Sequence, residues 1–184
     1  MKQVTITTTV GDIVVGVCVE KAPLTSRFFL HLVGAGYYES GDLYRASRLG
    51  IDNGPHLIQG GAALPFLQGS KAAKKAPMLE QIETTDQSGL LHRRGTLSLA
   101  RDLGRTGHAL AEFFICLGDF PSLDQHGRDQ PDDLGFPAFG EVLAGIELLD
   151  EMAEQETAGH THSDLLAGQM LTTPIRIERV FTVS

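Results

Sequence analysis

The sequence predicts a mainly β protein, a closed eight-stranded antiparallel barrel capped by two α-helices, and three observations lead there. Glycine accounts for 21 of 184 residues, about 11% against a usual ~7%, and threonine and valine crowd the N-terminus, which favours a turn-rich β architecture. About eight short runs alternate with period two, while only two stretches carry helical spacing. The final run can pair with the first, and closure by eight strands removes every sheet edge and leaves an interior just filled by side chains. Any ligand must then bind on the outside wall.

Val4, Ile6 and Thr8 alternate with Thr5, Thr7 and Thr9, Val10-Gly11-Asp12 turns the chain, and Ile13 to Val19 returns it, predicting a hairpin. Pro23 suits a helix start, and Leu24, Phe28 and Leu32 with Phe29 and Val33 form the apolar stripe of a helix of about three turns. It ends at Gly34 or Gly36, where glycine accepts the left-handed cap. Leu43 to Arg48 and His56 to Gly61 read as short strands, the second ending in a glycine pair that lets the backbone turn sharply.

Ala62 to Arg94 reads as a long connection with a solvated cluster at Lys71, Lys74 and Lys75. Gly95 to Ala100 and Phe113 to Leu117 are the central strands. Period two sets Phe113 and Ile115 on one face and Phe114 on the other, so one aromatic points away from the core. A second long loop, Gly118 to Gly135, precedes a strand at Phe136 to Val142 and a helix from Gly145 to Gln155 spaced by Leu148, Leu149 and Met152. Each helix is expected to cover one mouth of the barrel. Thr172-Thr173-Pro174 is expected to break the chain before the closing strand Ile175 to Val183.

At 184 residues the chain is read as one domain spanning residues 1–184, burying roughly 70% of its unfolded surface. Its 15 basic and 23 acidic residues give a net charge of −8, which argues against nucleic acid or an anionic membrane as partner. The longest apolar run, Ile13 to Val19, is far shorter than a bilayer span, and no secretory leader is evident after Met1-Lys2, so a cytoplasmic location is expected. Cys18 and Cys116 lack CxxC spacing and read as free thiols. His160, His162 and His126 lack the ligand count that zinc needs, so no metal and no cofactor are expected. No glycine-rich phosphate loop is present, and no G-x-S-x-G or pairing of a serine with a base suggests a hydrolase.

Five motifs in order, Leu43-Tyr44-Arg45, Leu57-Ile58-Gln59-Gly60-Gly61, Gly95-Thr96-Leu97-Ser98-Leu99-Ala100, Glu112-Phe113-Phe114-Ile115 and Phe136-Pro137-Ala138-Phe139-Gly140-Glu141-Val142, resemble those of cyclophilin-type peptidyl-prolyl cis-trans isomerases, of the bacterial type. Glu83-Thr84-Thr85 and Gly89 to His92 extend the resemblance to the loop before the central strand. It covers nearly the whole chain.

The resemblance implies an enzyme that accelerates rotation about X-Pro bonds in unfolded or exposed segments, as a monomer without cofactor. Arg45 aligns with the family's catalytic arginine, whose charge and rigid donors suit hydrogen bonding to the prolyl nitrogen as the bond twists. Gln59 aligns with the glutamine that steadies it, and Glu112 stands where many members carry glutamine and bacterial ones often glutamate. His56, Leu57, Phe114, Leu123 and Phe136 align with the pocket for the proline ring. The backbone of Ala100 and Arg101 aligns with the segment that holds the peptide extended.

His56 for a phenylalanine, Ser122 for a tryptophan and Phe136 for a histidine depart from the usual pattern. The loss of tryptophan implies weak affinity for cyclosporin. A tight Arg45–Glu112 ion pair would instead favour a catalytically weak module that binds proline peptides.

Overall fold

The structure, a computed structural model, describes residues 1–49, 54, 56–70, 76–101, 105–128 and 132–183. Eight strands close into an antiparallel barrel in the spatial order β1 (Lys2–Thr8), β10 (Met170–Thr182), β3 (Asp42–Ser47), β4 (Leu57–Gly61), β8 (Phe113–Cys116), β6 (Thr96–Leu99), β9 (Ala138–Ala144) and β2 (Gly11–Val17), which returns to β1. A ribbon of β5 (Met78–Leu79) and β7 (Ala109–Leu110), not anticipated from the sequence, stands apart from it.

The predicted hairpin runs in register from Lys2 opposite Val17 to Thr8 opposite Gly11, and its alternate residues Val4, Ile6, Ile13 and Val15 are fully buried. Closure is made by Val4 to Thr8 pairing with Thr182 to Ile177. The expected break at Thr172-Thr173-Pro174 does not occur, because β10 continues through it. Against β3 the pairing jumps from Met170–Arg45 to Ile175–Leu43, and Pro174 falls in that interruption, where its missing N–H costs no ladder bond.

Helix α1 (Pro23–Gly34) follows the end of β2, and α4 (Ile146–Ala153) lies at its beginning, where Leu148 reaches Gly11, so the two cover opposite mouths. Proline opens α1, but Ala22 has no side chain to cap it. The Glu83 carboxylate does so instead, accepting Leu24 N–H at 2.6 Å, Thr25 N–H at 2.8 Å and the Thr25 hydroxyl at 2.6 Å. At the other end Gly36, at φ +67°, allows Gly36 N–H to reach Val33 O and Tyr37 N–H to reach Leu32 O, a Schellman close. Phe29, Leu32 and Val33 are buried as predicted, while Leu24 is exposed and Thr25 and Ser26 take the inner face. Two one-turn helices, α2 (Leu64–Leu67) and α3 (Thr85–Ser88), occupy the long connection. The lysines at 71, 74 and 75 lie outside the described residues.

Side-chain alternation divides most of the apolar residues into two bodies, and a third, small cluster of Tyr44, Leu64 and Met170 lies apart from both. Inside the barrel Phe29 meets Phe139 at 5.0 Å, Tyr38 at 5.4 Å and Phe113 at 6.1 Å between ring centroids. Outside, Leu57, Ala100, Phe114, Cys116, Phe120 and Leu123 form a second cluster with Leu49 and Phe136 against it. Phe113 belongs to the first and Phe114 to the second, as period two requires. Cys18 and Cys116 are free thiols.

Candidate active site

The outer cluster floors a surface cavity of about 830 Å³ whose lining includes Arg45, Gln59, Leu57, Phe114, Leu123 and Phe136. Leu57 and Phe114 are brought to it by β4 and β8, with Cys116 opposite Leu57 and Gln59 opposite Phe114 in the ladder. Phe114 and Phe136 meet edge to face at 5.6 Å. The result is an apolar hollow within the larger cavity, floored by packed side chains.

Arg45 reaches this hollow because β3 carries one residue too many. Leu43 lies opposite Gly60 and Arg45 opposite Gln59, so Tyr44 is extra. With unbroken alternation Arg45 would share the inner face of Leu43; the bulge turns both Tyr44 and Arg45 outward and returns Ala46 to the core. The guanidinium donates from Nη1 to Gln59 Oε1 at 2.6 Å and from Nε and Nη2 to Gln169 Oε1 at 2.9 and 2.6 Å. Burial lowers its pKa from the ordinary value, yet an arginine remains charged. Both partners are neutral carboxamides, so its charge faces the cavity uncancelled by either.

The competing Arg45–Glu112 pair considered from the sequence is not formed. Glu112 is 2% exposed and accepts the Tyr44 hydroxyl at 2.9 Å, Ala62 N–H at 3.1 Å and Ala63 N–H at 3.2 Å. Burial pushes its pKa up to about 7, against the lowering effect of those three donors. Gly61, at φ +146°, has to be glycine, since a Cβ there would collide with this carboxylate.

One further expectation is corrected. His56 does not line the hollow: one residue before Leu57 it has the opposite facing, and its Nδ1 lies 3.4 Å from Glu154 beside α4. Ala100 and Arg101 line the cavity, and the Ala100 main chain is tied to its neighbours, its N–H donating to Glu112 O at 2.8 Å and its carbonyl accepting Leu110 N–H at 2.7 Å. The Arg101 side chain is buried, donating to Asp132 Oδ1 at 3.0 Å, Gly135 O at 2.6 Å and His108 O at 3.1 Å. The Arg101 hydrogen bond, helped by the Leu134 and Gly107 amides, holds the Asp132 carboxyl down at about 2.

A serine is paired with a base after all. Ser98 Oγ lies 3.0 Å from His92 Nε2, and His92 Nδ1 lies 2.7 Å from Asp124 Oδ1. Ser98 is 0% exposed, so no ester reaches it. The triad is a buckle: the His92 ring stacks on Phe114 at 5.8 Å and supports the hollow from beneath. Among the described residues no group of three or more His, Cys, Asp or Glu is placed to hold a metal ion.

Sequence reasoning missed Tyr44, Gln169, His92 and Arg128. Arg128 lines the cavity, lies 5.6 Å over the Phe136 ring and donates to Ser122 O at 2.9 Å, while Ser122 itself is exposed. His92 carried a partial signal in its place beside the central strand; Gln169, 124 residues from Arg45, carried none.

A closed eight-stranded barrel with an arginine-rimmed apolar hollow on its outer wall is the architecture that the sequence resemblance implies. The family model described as "Cyclophilin type peptidyl-prolyl cis-trans isomerase/CLD" matches residues 3–181. The chain belongs to this family and is a peptidyl-prolyl cis-trans isomerase. It is 34% identical over 149 residues to peptidyl-prolyl cis-trans isomerase B of Escherichia coli (strain K12), covering 81% of this chain and 82% of that one. It is 29% identical over 154 residues to peptidyl-prolyl cis-trans isomerase A of Dickeya dadantii (strain 3937), covering 84% and 72%. In structure it is similar to a Cryptosporidium parvum cyclophilin-type isomerase crystallised in the presence of the dipeptide Ala-Pro, with a TM-score of 0.71, 20% identity and 99% of each chain covered. Among the described residues no helix is long and apolar enough to cross a membrane.

Proposed function

We propose that the chain assists protein folding by accelerating X-Pro rotation in unfolded or exposed peptide segments, with Arg45 as the catalytic group. The proline ring enters the hollow of Leu57, Phe114, Leu123 and Phe136. Rotation breaks amide resonance, with a barrier of about 20 kcal/mol, and localises the lone pair on the prolyl nitrogen. A guanidinium N–H aimed there binds the twisted amide better than the planar one, which is the condition for lowering a barrier. Gln59 steadies Arg45 and meets the substrate at the cavity wall. No covalent step and no cofactor is required.

The observation that carries this reading is the fixing of a charged guanidinium beside an external apolar hollow by two neutral carboxamides. The Ala-Pro dipeptide present with the Cryptosporidium parvum isomerase has the same X-Pro chemistry. The test is the cis-to-trans rate of a short X-Pro peptide with wild type and Arg45→Ala. The variant should lose about a hundredfold in kcat/KM while still binding peptide; wild-type rates in the variant would end the arginine assignment.

A further inference from the structure

Resting on the assignment of Arg45, we propose that Tyr44 and Glu112 are positioning residues that fix the orientation of the Gln59 carboxamide, so that isomerase activity follows the protonation of Glu112.

The four side chains form one directed relay. Arg45 Nη1 donates to Gln59 Oε1 at 2.6 Å, Gln59 Nε2 to Tyr44 Oη at 3.1 Å, and the Tyr44 hydroxyl to Glu112 Oε2 at 2.9 Å. All links point the same way and end on an acceptor. Ala62 and Ala63 N–H donate to that carboxyl as well, so an ionised carboxylate, which only accepts, satisfies every group. A protonated Glu112 brings a fourth hydrogen into a ring of donors, and the Tyr44 oxygen is the atom left to take it. Tyr44 must then turn its own hydrogen toward Gln59, whose amide answers by presenting oxygen to Tyr44 and NH₂ to Arg45. Donor then faces donor at the catalytic guanidinium, and the arginine loses one of its two anchors.

The surroundings leave this carboxyl as the group that titrates. Tyr44 faces it from β3, Tyr37 and Tyr38 from the turn after α1, and the Ala62 and Ala63 amides from the end of β4. Burial raises all three tyrosines above their ordinary value, Tyr37 to about 12, so they stay neutral. Arg45, the nearest cation of the relay, meets the carboxyl only through Gln59 and Tyr44. Because Glu112 is shifted up to about 7, the relay is in its holding direction above neutrality and reverses as pH falls through that value.

The experiment measures kcat/KM on an X-Pro peptide from about pH 5.5 to 8.5 for wild type, Glu112→Gln, Tyr44→Phe and Arg45→Ala. Wild type should lose about tenfold toward low pH along a one-proton curve. Glu112→Gln, which keeps the side-chain volume and introduces the residue many family members carry there, should show no step. Tyr44→Phe should be slower throughout and also lack it. The Arg45 side-chain ¹⁵N shifts should follow the same curve in wild type and stay flat in Glu112→Gln. A flat wild-type profile, or a wild-type step retained in Glu112→Gln, overturns the relay even with Arg45→Ala inactive. An active Arg45→Ala overturns the catalytic assignment instead.

Discussion

Gln169 holds Arg45 through two hydrogen bonds onto a single oxygen, and its own amide nitrogen is anchored on Leu165 O at 3.0 Å. Gln169→Ala should lower kcat/KM about tenfold, roughly 1.4 kcal/mol, mostly in kcat, because the bonds set the aim of the guanidinium without forming the hollow. Gln169→Glu should be worse: a carboxylate there makes the charge-assisted pair that the native site avoids. Steady-state kinetics separates the two variants. Little of this was legible in the sequence. Arg45, Gln59 and Phe114 stand in local motifs and were found, but Gln169 meets Arg45 only because Met170 pairs with it across β10 and β3. His56 was misassigned for a related reason: adjacent strand residues face opposite ways, and Leu57 already held the outward position.

The strands were readable because alternating burial imposes alternating sequence, whereas the loops are organised by individual polar bonds that leave no period. Arg101 and Asp132 show this, joining the segment after β6 to the one before β9. Asp132→Asn should destabilise the fold by about 3 kcal/mol, the cost of leaving a buried guanidinium without its counter-ion, measured by urea unfolding. The same bond has an acid limit. Asp132 is lowered from 3.8 to about 2, so its contribution is whole above about pH 4 and disappears as pH falls toward 2; wild type should lose that increment over this window and Asp132→Asn should not. On the 120s loop, Ser122 is exposed and Arg128 covers the adjoining side of the hollow. Weak cyclosporin binding follows from that missing indole face, and nanomolar affinity in calorimetry would contradict it.

The separation of an interior cluster from an exterior one divides stability from activity. Phe29 touches three rings inside the barrel and none of the hollow. Phe29→Ala should cost about 4 kcal/mol in urea unfolding, yet leave kcat/KM within about twofold at temperatures where it stays folded. Barrel closure itself was foreseeable from the matching first and last alternations; what alternation concealed was each place where it slips. The extra residue at Tyr44 is the most consequential of these. Excising Tyr44 would leave Leu43 inward, Arg45 outward and Ala46 inward in plain alternation, keeping the cation on the outer wall but removing the phenol that links Gln59 to Glu112. The extra residue thus adds a buried support beneath the arginine, and a shortened β3 would yield a barrel that still closes, with its cation in place but unbraced from below.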